Sequence, residues 1–330
     1  VVAQVVANAP VDNKSIVVTE ERFVFALGAG GNPRKIAWCD KEANTVWTPA
    51  ATNEAGDFEL QTTGQIMCGL RMRGRTLILT DNDAHMAVYS GAPFVYGFER
   101  VGTACGVASR KGAVAIDEGA FWMGKRGFFT FDGSIAKELA CEASDYVFND
   151  INESQISKVY AVHNSQHSEI WWFYPSEGNL ENDKYVALDY KEGHWNVGDI
   201  DRTAGVDLGV FNNPIWCDAD GDLYNHETGY IHGSVEPYAE SGAISLGNGD
   251  QIMRVTNLIP DEATQGQVSV TFKSRFYPNA TETTHGAFTL TNPTDVRFSG
   301  RQIRIRIQGV GNEDWRSGIM RIEAKPGGRR

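Results

Sequence analysis

Three stretches of the chain carry residue types that could do chemistry, and the first is rich in glycine. It runs from Ala26 to Gly31 and follows a predicted strand over Arg22–Leu27. A phosphate cradle needs the amide donors of a helix N-terminus directly after the glycines. Here Pro33 and another strand follow instead. We therefore predict a structural turn.

The second stretch, Asp218–Asp222, spaces its carboxylates much as a calcium-binding loop does, and Asn225 and Glu227 lie nearby. Its glycine stands at the fourth position, whereas a calcium loop needs glycine at the sixth. Predicted strands flank the stretch on both sides. We predict a hairpin turn, with a calcium site as the alternative.

The third stretch places His163 and His167 four residues apart, with Glu169 close behind. On a helix this spacing would bring two metal ligands to one face. The segment instead predicts a loop that enters a strand at Ile170, so a metal site is the weaker interpretation.

A wider search finds no catalytic set. No serine lies in a Gly-x-Ser-x-Gly motif, and no cysteine has a recognisable histidine partner. Carboxylate pairs are too numerous to single one out. We therefore expect no enzyme, no cofactor, and no catalytic, cofactor-binding or metal residues. A glycoside hydrolase built on a propeller stays open, although its acid and base cannot be named.

The cysteines predict free thiols. They are odd in number, widely spaced and without a Cys-x-x-Cys pair, whereas a disulfide framework needs a dense and even set. We expect all of them to be buried in a protein made in a reducing cytosol. A zinc site using one of them with a nearby histidine is the alternative. The five are Cys39, Cys68, Cys105, Cys141 and Cys217.

Composition indicates an ordinary globular protein. The chain has 330 residues, of which 42% are hydrophobic and 22% charged. Its longest apolar runs are a few residues, far below the ~20 that span a bilayer, so we expect no membrane insertion. No signal peptide is visible, and the first residue is valine, which leaves open whether upstream residues are missing.

The elements that position these residues are predicted to be strands. Hairpins recur along the chain, and their separations of 41, 44, 50 and 44 residues give a quasi-period of about 40–50 residues. Several strands per period are typical of a β-propeller. One large β-sandwich is the alternative. The strands that we expect to be equivalent begin at Ile36, Leu77, Phe121, Trp171 and Ile215.

Packing between radial sheets leaves wedge-shaped gaps that large aromatic side chains fill. We therefore expect Trp122, Phe131, Trp171 and Phe173 to be buried between blades. Helical periodicity is nearly absent, and residues 143–158 predict one or two helical turns between strands.

Three regions follow from these patterns, which together predict an all-β protein. Residues 1–233 form a propeller-like array of hairpin blades, 234–249 form a connector rich in glycine and serine, and 250–330 form a C-terminal β-sandwich. Val268–Lys273 and Gln302–Ile307 alternate apolar and polar residues, which buries one face of each strand.

Charge divides unevenly between these regions. Residues 268–330 carry 11 Lys and Arg against 5 Asp and Glu, a net charge of +6, whereas residues 1–267 carry 19 against 37, a net charge of −18. Such asymmetry predicts different electrostatic surroundings for the two regions. We expect Arg304 and Arg306 to lie on an exposed face and to pair with acidic loops of a neighbouring subunit.

Several stretches resemble one protein family in residue content and order. They are 119–124 with 131–133, 171–175, Trp195 followed by 201–204, 296–306, 314–321 and 326–330. The match runs from about Ile16 to the C-terminus. The chain resembles the tail nozzle or tail-hub proteins of short-tailed bacteriophages, also called packaged-DNA stabilisation proteins.

The resemblance implies a structural virion protein, assembled in the bacterial host cytoplasm. Its copies would form a hexameric ring below the portal and its adaptor proteins. The ring would extend and close the DNA-ejection channel and support tail fibres or spikes. The family carries no catalytic residues. The runner-up is a carbohydrate-directed β-propeller, either a lectin or a glycoside hydrolase.

The acidic balance fits such a channel. Duplex DNA carries one charge per ~1.7 Å, so a wall rich in Lys and Arg would bind it tightly. An acidic wall repels DNA within a Debye length of ~8 Å and lets it slide. We expect genomic double-stranded DNA to pass a lumen lined by acidic and neutral side chains without tight binding.

Overall fold

The computed structural model describes residues 3–231, 236–291 and 293–328. It is an all-β protein, as predicted, and it divides into two compact units, Val1–His226 and Glu227–Arg330.

The first unit consists of small antiparallel sheets that follow one another along the chain. Sheet one contains β1 (Ser15–Val18), β2 (Val24–Leu27), β3 (Lys35–Trp38) and β4 (Gly56–Glu59). Sheet two contains β5 (Ile66–Met72), β6 (Arg75–Thr80), β7 (Asp83–Gly91) and β8 (Val95–Thr103). Sheet three contains β9 (Ala113–Ile116), β10 (Gly119–Met123), β11 (Phe128–Phe131) and β12 (Ala136–Leu139).

Sheet four contains β13 (Tyr160–Asn164), β14 (Glu169–Tyr174), β15 (Lys184–Asp189) and β16 (His194–Asp199). Sheet five has three strands, β17 (Ala204–Val206), β18 (Ile215–Cys217) and β19 (Leu223–Asn225). Between sheets three and four lie the helix α1 (Ser144–Asp150) and a 3-10 turn over Glu153–Lys158, which confirms the predicted helical turns.

The sheets stack through their first strands. β1 packs against β5, β5 against β9, β9 against β13, and β13 against β17. This succession of small sheets, each joined to the next at its first strand, is the propeller-like array that the quasi-period predicts. Among the described residues β17 does not pack comparably against β1.

Four of the five strands predicted to be equivalent are indeed second strands of their sheets. Leu77, Phe121, Trp171 and Ile215 lie in β6, β10, β14 and β18. The assignment of Ile36 is wrong, because it lies in β3, the third strand of sheet one. Its equivalent is β2, which begins at Val24. Because the connection between β3 and β4 is long, the separation of 41 residues between Ile36 and Leu77 still matches the quasi-period. The period therefore gave no sign that Ile36 belongs to the third strand.

Aromatic side chains fill the spaces between successive sheets. Trp122 and Phe131 pack in the core between sheets two and three, and Phe173 packs against Trp216 between sheets four and five; all are buried, as predicted. The prediction for Trp171 is met in part, because this side chain packs between sheets four and five but is only half-buried. Its ring contacts Trp216 of the three-stranded fifth sheet.

The second unit consists of two antiparallel sheets with a shared core. The larger sheet contains β20 (Tyr238–Glu240), β21 (Ile244–Ser245), β23 (Val268–Arg275), β24 (Thr283–Thr289) and β26 (Gln302–Gly309). The smaller sheet contains β22 (Ile252–Pro260), β25 (Thr294–Gly300) and β27 (Met320–Gly328). The fold is therefore the predicted β-sandwich.

Alternation along β23 sets its register, as the sequence predicts. Val268, Val270 and Phe272 are buried, and the polar residues between them are half-buried. The three buried side chains form one core together with Val255 and Phe298 of the other sheet.

The segment predicted as a connector, 234–249, contributes β20 and β21, and both pair with β26. Ser234 and Val235 lie outside the described residues. The two units divide between His226 and Glu227, a few residues before the boundary predicted at 233. The strands β20 and β21 are short, and their exposed side chains give no alternating pattern, so the sequence predicts a connector there.

Candidate functional surfaces

The glycine-rich stretch forms the predicted turn. Ala29–Gly31 is a single 3-10 turn between β2 and β3. Gly28 and Gly30 have φ angles of 66° and 64°, a left-handed region that glycine adopts without strain. No helix follows, so the amides form no phosphate cradle.

Both carboxylate oxygens of Asp218 accept hydrogen bonds from its own hairpin, which confirms the turn predicted for 218–222. Its Oδ1 accepts hydrogen bonds from the amides of Asp220, Gly221 and Asp222 at 3.0, 2.9 and 3.0 Å. Its Oδ2 accepts one from the Tyr224 hydroxyl at 2.9 Å. Desolvation opposes ionisation, but these donors outweigh it and lower the pKa of the Asp218 carboxyl.

His163 lies on a strand rather than in the predicted loop, because β13 extends to Asn164 and pairs with β14. Its Nδ1 is 3.2 Å from Asp207 Oδ2, and its Nε2 is 3.2 Å from the Tyr190 hydroxyl. His167 follows in the turn between β13 and β14. Within the described ranges, no three His, Cys, Asp or Glu side chains are grouped to hold a metal ion.

All five cysteines are free thiols. Cys39, Cys68 and Cys105 are buried as predicted, whereas Cys141 and Cys217 are half-buried. Burial raises the pKa of Cys68 to about 12 and that of Cys105 to about 11. A thiol with so high a pKa carries almost no thiolate at neutral pH, so neither residue is a nucleophile.

Arg304 and Arg306 of the sandwich are half-buried and have partners within their own chain, while their pairing with a neighbouring subunit stays a prediction. Arg304 Nε lies 3.0 Å from Glu282 Oε1, and Lys273 Nζ lies 2.8 Å from Glu240 Oε1. The guanidinium carbon of Arg306 lies 3.6 Å from the centroid of the Tyr238 ring. Two of these partners, Glu240 and Tyr238, come from β20, which was expected to be connector.

The difference in net charge between the two structural units is smaller than that between residues 1–267 and 268–330. Residues 1–226 carry 18 Lys and Arg against 31 Asp and Glu, a net charge of −13. Residues 227–330 carry 12 against 11, a net charge of +1. The second unit is therefore nearly neutral as a whole, and the acidic excess belongs to the propeller-like array.

A buried cation holds sheet five together. The Arg202 side chain is 4% exposed, and its Nε donates to His226 Nε2 at 2.9 Å. Its Nη1 donates to the backbone oxygen and to Oδ1 of Asp201 at 2.6 and 3.1 Å. These contacts give Arg202 a structural role. Sequence reasoning noticed its stretch only through the family resemblance.

A groove on sheet one was not predicted. It encloses about 550 Å³, and Trp47, Pro10 and Pro49 contribute its apolar lining. Lys35 and Asp57 lie at its rim, joined by an ion pair of 3.1 Å between Nζ and Oδ2. The one signal in the sequence is a tryptophan within a polar loop between two strands.

No helix in the described part of the chain is long and apolar enough to cross a membrane.

No family model matches this chain, and no curated protein matches it. Among solved structures it is similar to the WD40 domain of Pan2 from Neurospora crassa, with 11% identity, 47% of this chain covered and a TM-score of 0.31. It is also similar to PorZ of the type-IX secretion system of Porphyromonas gingivalis, with 8% identity, 82% of this chain covered and a TM-score of 0.38.

An exo-β-1,3-galactanase from Phanerochaete chrysosporium is similar at 8% identity, with 97% of this chain and 100% of that chain covered and a TM-score of 0.34. The chain spans 44% of the Pan2 structure and 32% of the PorZ structure. At such scores and identities these likenesses carry no argument about activity, substrate or partner.

Proposed function

We propose that this chain is a structural subunit of the tail nozzle or hub of a short-tailed bacteriophage. Its copies form a ring that prolongs the DNA-ejection channel below the portal and adaptor and supports fibres or spikes. The observation that carries the proposal is the net charge of −13 on residues 1–226, taken together with the resemblance of the stretches named above.

The charge suits a conduit rather than a nucleic-acid binder. A protein that grips duplex DNA presents Lys and Arg to the phosphates and releases their counterions. In the first unit several cations already face carboxylates, including Arg34 with Glu59 at 2.7 Å and Lys184 with Asp150 at 2.9 Å. The remaining acidic excess repels a passing duplex at close range.

The candidate chemical groups support a non-catalytic role. The polar atoms of Asp218, His163 and Arg202 form hydrogen bonds or ion pairs with neighbours in the same sheet or the next one. Each therefore has a structural explanation that requires no substrate.

Exposed apolar side chains at sheet five support assembly into a ring. Val210 is 98% exposed and Phe211 54% exposed in the loop between β17 and β18, and Leu223 on β19 is 74% exposed. Contact between copies would remove this surface from water, which is favourable by about 25 cal/mol per Å² of apolar area.

The carbohydrate-directed alternative divides into a hydrolase and a lectin. A glycosidase needs two carboxyl groups that face each other across the scissile bond. The groove on sheet one presents Asp57, which Lys35 already engages. The geometry therefore offers no support for hydrolysis at this groove, whereas sugar binding remains compatible with it.

Fluorescence anisotropy with a labelled DNA duplex tests the conduit. The isolated chain should show no tight binding at low salt, because the first unit repels phosphate. A variant carrying Glu118→Lys, Glu177→Lys and Glu192→Lys, three exposed positions in the same unit, is the positive control and should bind more tightly. Tight binding by the unmodified chain, with a steep loss of affinity as salt rises, would contradict the proposal.

A further inference from the structure

The groove at Trp47 has a floor of small residues on the outer face of sheet one. A cross-strand row runs from Ile16 through Ala26 and Ala37 to Asp57. The two alanines leave the sheet surface low in the middle, and Trp47 packs against them. The result is a trough with an aromatic wall on one side.

The loop that carries Trp47 is held by its own polar groups. Asn53 Oδ1 accepts the amide of Ala50 at 3.1 Å, and Asn53 Nδ2 donates to the Thr48 oxygen at 3.0 Å. Asp40 Oδ1 accepts the amide of Glu54 at 2.9 Å. A loop fixed in this way is pre-organised, so a ligand need not supply the free energy of ordering it.

Trp47 offers carbon surface to the groove rather than a hydrogen bond. Its indole Nε1 donates to the backbone oxygen of Asn44 at 2.6 Å, so the N–H is occupied. The opposite wall comes from the segment before β1, where Asn8 Nδ2 donates to the Thr45 oxygen at 3.1 Å. Pro10 of that segment adds a second apolar surface.

The rim carries balanced polar groups. Lys35 and Asp57 form an ion pair while their side chains stay 38% and 48% exposed, so both can still reach a ligand. Asn32 and Thr48 add an amide and a hydroxyl. Together these groups present donors and acceptors without a net charge.

This combination selects one class of ligand. Phosphates and nucleic acids need uncompensated cations, but the lysine of this rim already faces a carboxylate. A quaternary amine needs a cage of aromatic rings, and the groove has a single one. A sugar has a ring face of C–H groups that packs on an aromatic surface and hydroxyl groups that both donate and accept. The volume of about 550 Å³ lies within the roughly 300–1,000 Å³ of small-ligand sites.

The geometry points to a binding site for a neutral saccharide in this groove, with Trp47 as the platform and Lys35, Asp57 and Thr48 as hydroxyl partners. The site requires no reaction and does not depend on the tail role. It would attach a glycan to the outer face of sheet one.

Saturation-transfer NMR on the purified chain tests the site with four neutral trisaccharides: maltotriose, cellotriose, mannotriose and chitotriose. At least one should bind with a millimolar dissociation constant. In the spectrum of the protein, the bound sugar should shift the indole N–H resonance of Trp47. That resonance is identified because it is missing from the spectrum of Trp47→Phe. Glucuronate and glucose 6-phosphate, which carry charge, should bind no better.

Trp47→Ala should weaken binding at least tenfold, whereas Trp47→Phe, which keeps an aromatic ring, should retain most of it. Thr48→Val removes one hydroxyl at nearly constant shape and should cost about two- to tenfold, the loss expected for one hydrogen bond. Phe94→Ala, at an aromatic residue that is 81% exposed in the turn between β7 and β8, is the matched control and should leave binding unchanged.

Two results would overturn the site. One is that none of the four neutral trisaccharides binds. The other is that folded Trp47→Ala and Thr48→Val both bind as the unmodified chain does. Neither result bears on DNA binding or ring formation, so failure here is distinguishable from failure of the proposed function.

Discussion

The guanidinium of Arg202 lies over the ring of Tyr224, with its central carbon 4.0 Å from the ring centroid. Tyr224 in turn donates its hydroxyl to Asp218, so a buried cation, an aromatic ring and a carboxylate form one connected group in sheet five. This group ties the β18–β19 hairpin to the segment that precedes β17. Sheet five has little apolar core of its own, and its stability should depend on these contacts.

Arg202→Met should therefore destabilise the protein by about 2–3 kcal/mol, because it removes a desolvated cation–π contact and hydrogen bonds from a charged donor. Arg22→Met is the matched control. Arg22 is 71% exposed in an ion pair with Glu42, so its loss should cost under about 1 kcal/mol. Urea unfolding followed by tryptophan fluorescence measures both. Equal midpoints for the two variants would show that Arg202 is not a structural anchor.

Adjacent tryptophans on β14 should differ in their effect on stability. Trp172 is fully buried between sheets three and four, and its Nε1 donates to the Gly112 oxygen at 3.1 Å. Trp171 is half-buried and stacks on Tyr185 at 4.3 Å. Trp172→Ala should cost about 3–5 kcal/mol, and Trp171→Ala distinctly less. Thermal unfolding decides the order, and a larger loss for Trp171→Ala would contradict the packing described.

Acidification should destabilise the chain below about pH 6.5. Burial lowers the pKa of His85, His163 and His285 in the folded protein, against an unfolded value of about 6.5. The unfolded chain then binds more protons, so stability is complete above the unfolded pKa and falls as pH drops through the folded values.

Melting temperatures between pH 7.5 and 5.5 test this dependence. His85→Gln should reduce the slope without abolishing it, because glutamine keeps hydrogen-bonding capacity without titrating while His163 and His285 remain. The control is His194→Gln at an exposed position, which should retain the full slope. A melting temperature that rises on acidification would mean that these histidines prefer the charged form in the folded state.

The thiols should label in two groups. Iodoacetamide at pH 8 should reach the half-buried Cys141 and Cys217 before Cys39, Cys68 and Cys105. Access decides the order, because burial raises the thiol pKa of Cys141 as well as that of the buried three. Peptide mass mapping over time gives the order, and urea should make all five react at similar rates. Early labelling of Cys68 in the folded protein would be inconsistent with its burial.

Features with a local cause were predictable from the sequence. The alternation of Val268, Val270 and Phe272 fixes which face is buried, because successive side chains on a strand point in opposite directions. The turn at Asp218 was predictable because its flanking strands and its glycine are adjacent in the chain.

Features set by distant contacts were not predictable. Ile36 was placed one strand too late because the hairpin β2–β3 offers two similar apolar runs. Glu240 was assigned to a connector because β20 has three residues and acquires its identity from β26. The groove at Trp47 depends on packing against Ala26 and Ala37, which lie ten residues or more away and carry no pattern of their own.

Electron cryomicroscopy of the native particle that contains this chain tests the ring most directly. We expect several copies in a closed ring around the channel of a virus tail, with acidic and neutral side chains of the first unit facing the lumen. A lumen lined by Lys and Arg would contradict the conduit, and finding the chain only as a free monomer outside any particle would contradict the structural role itself.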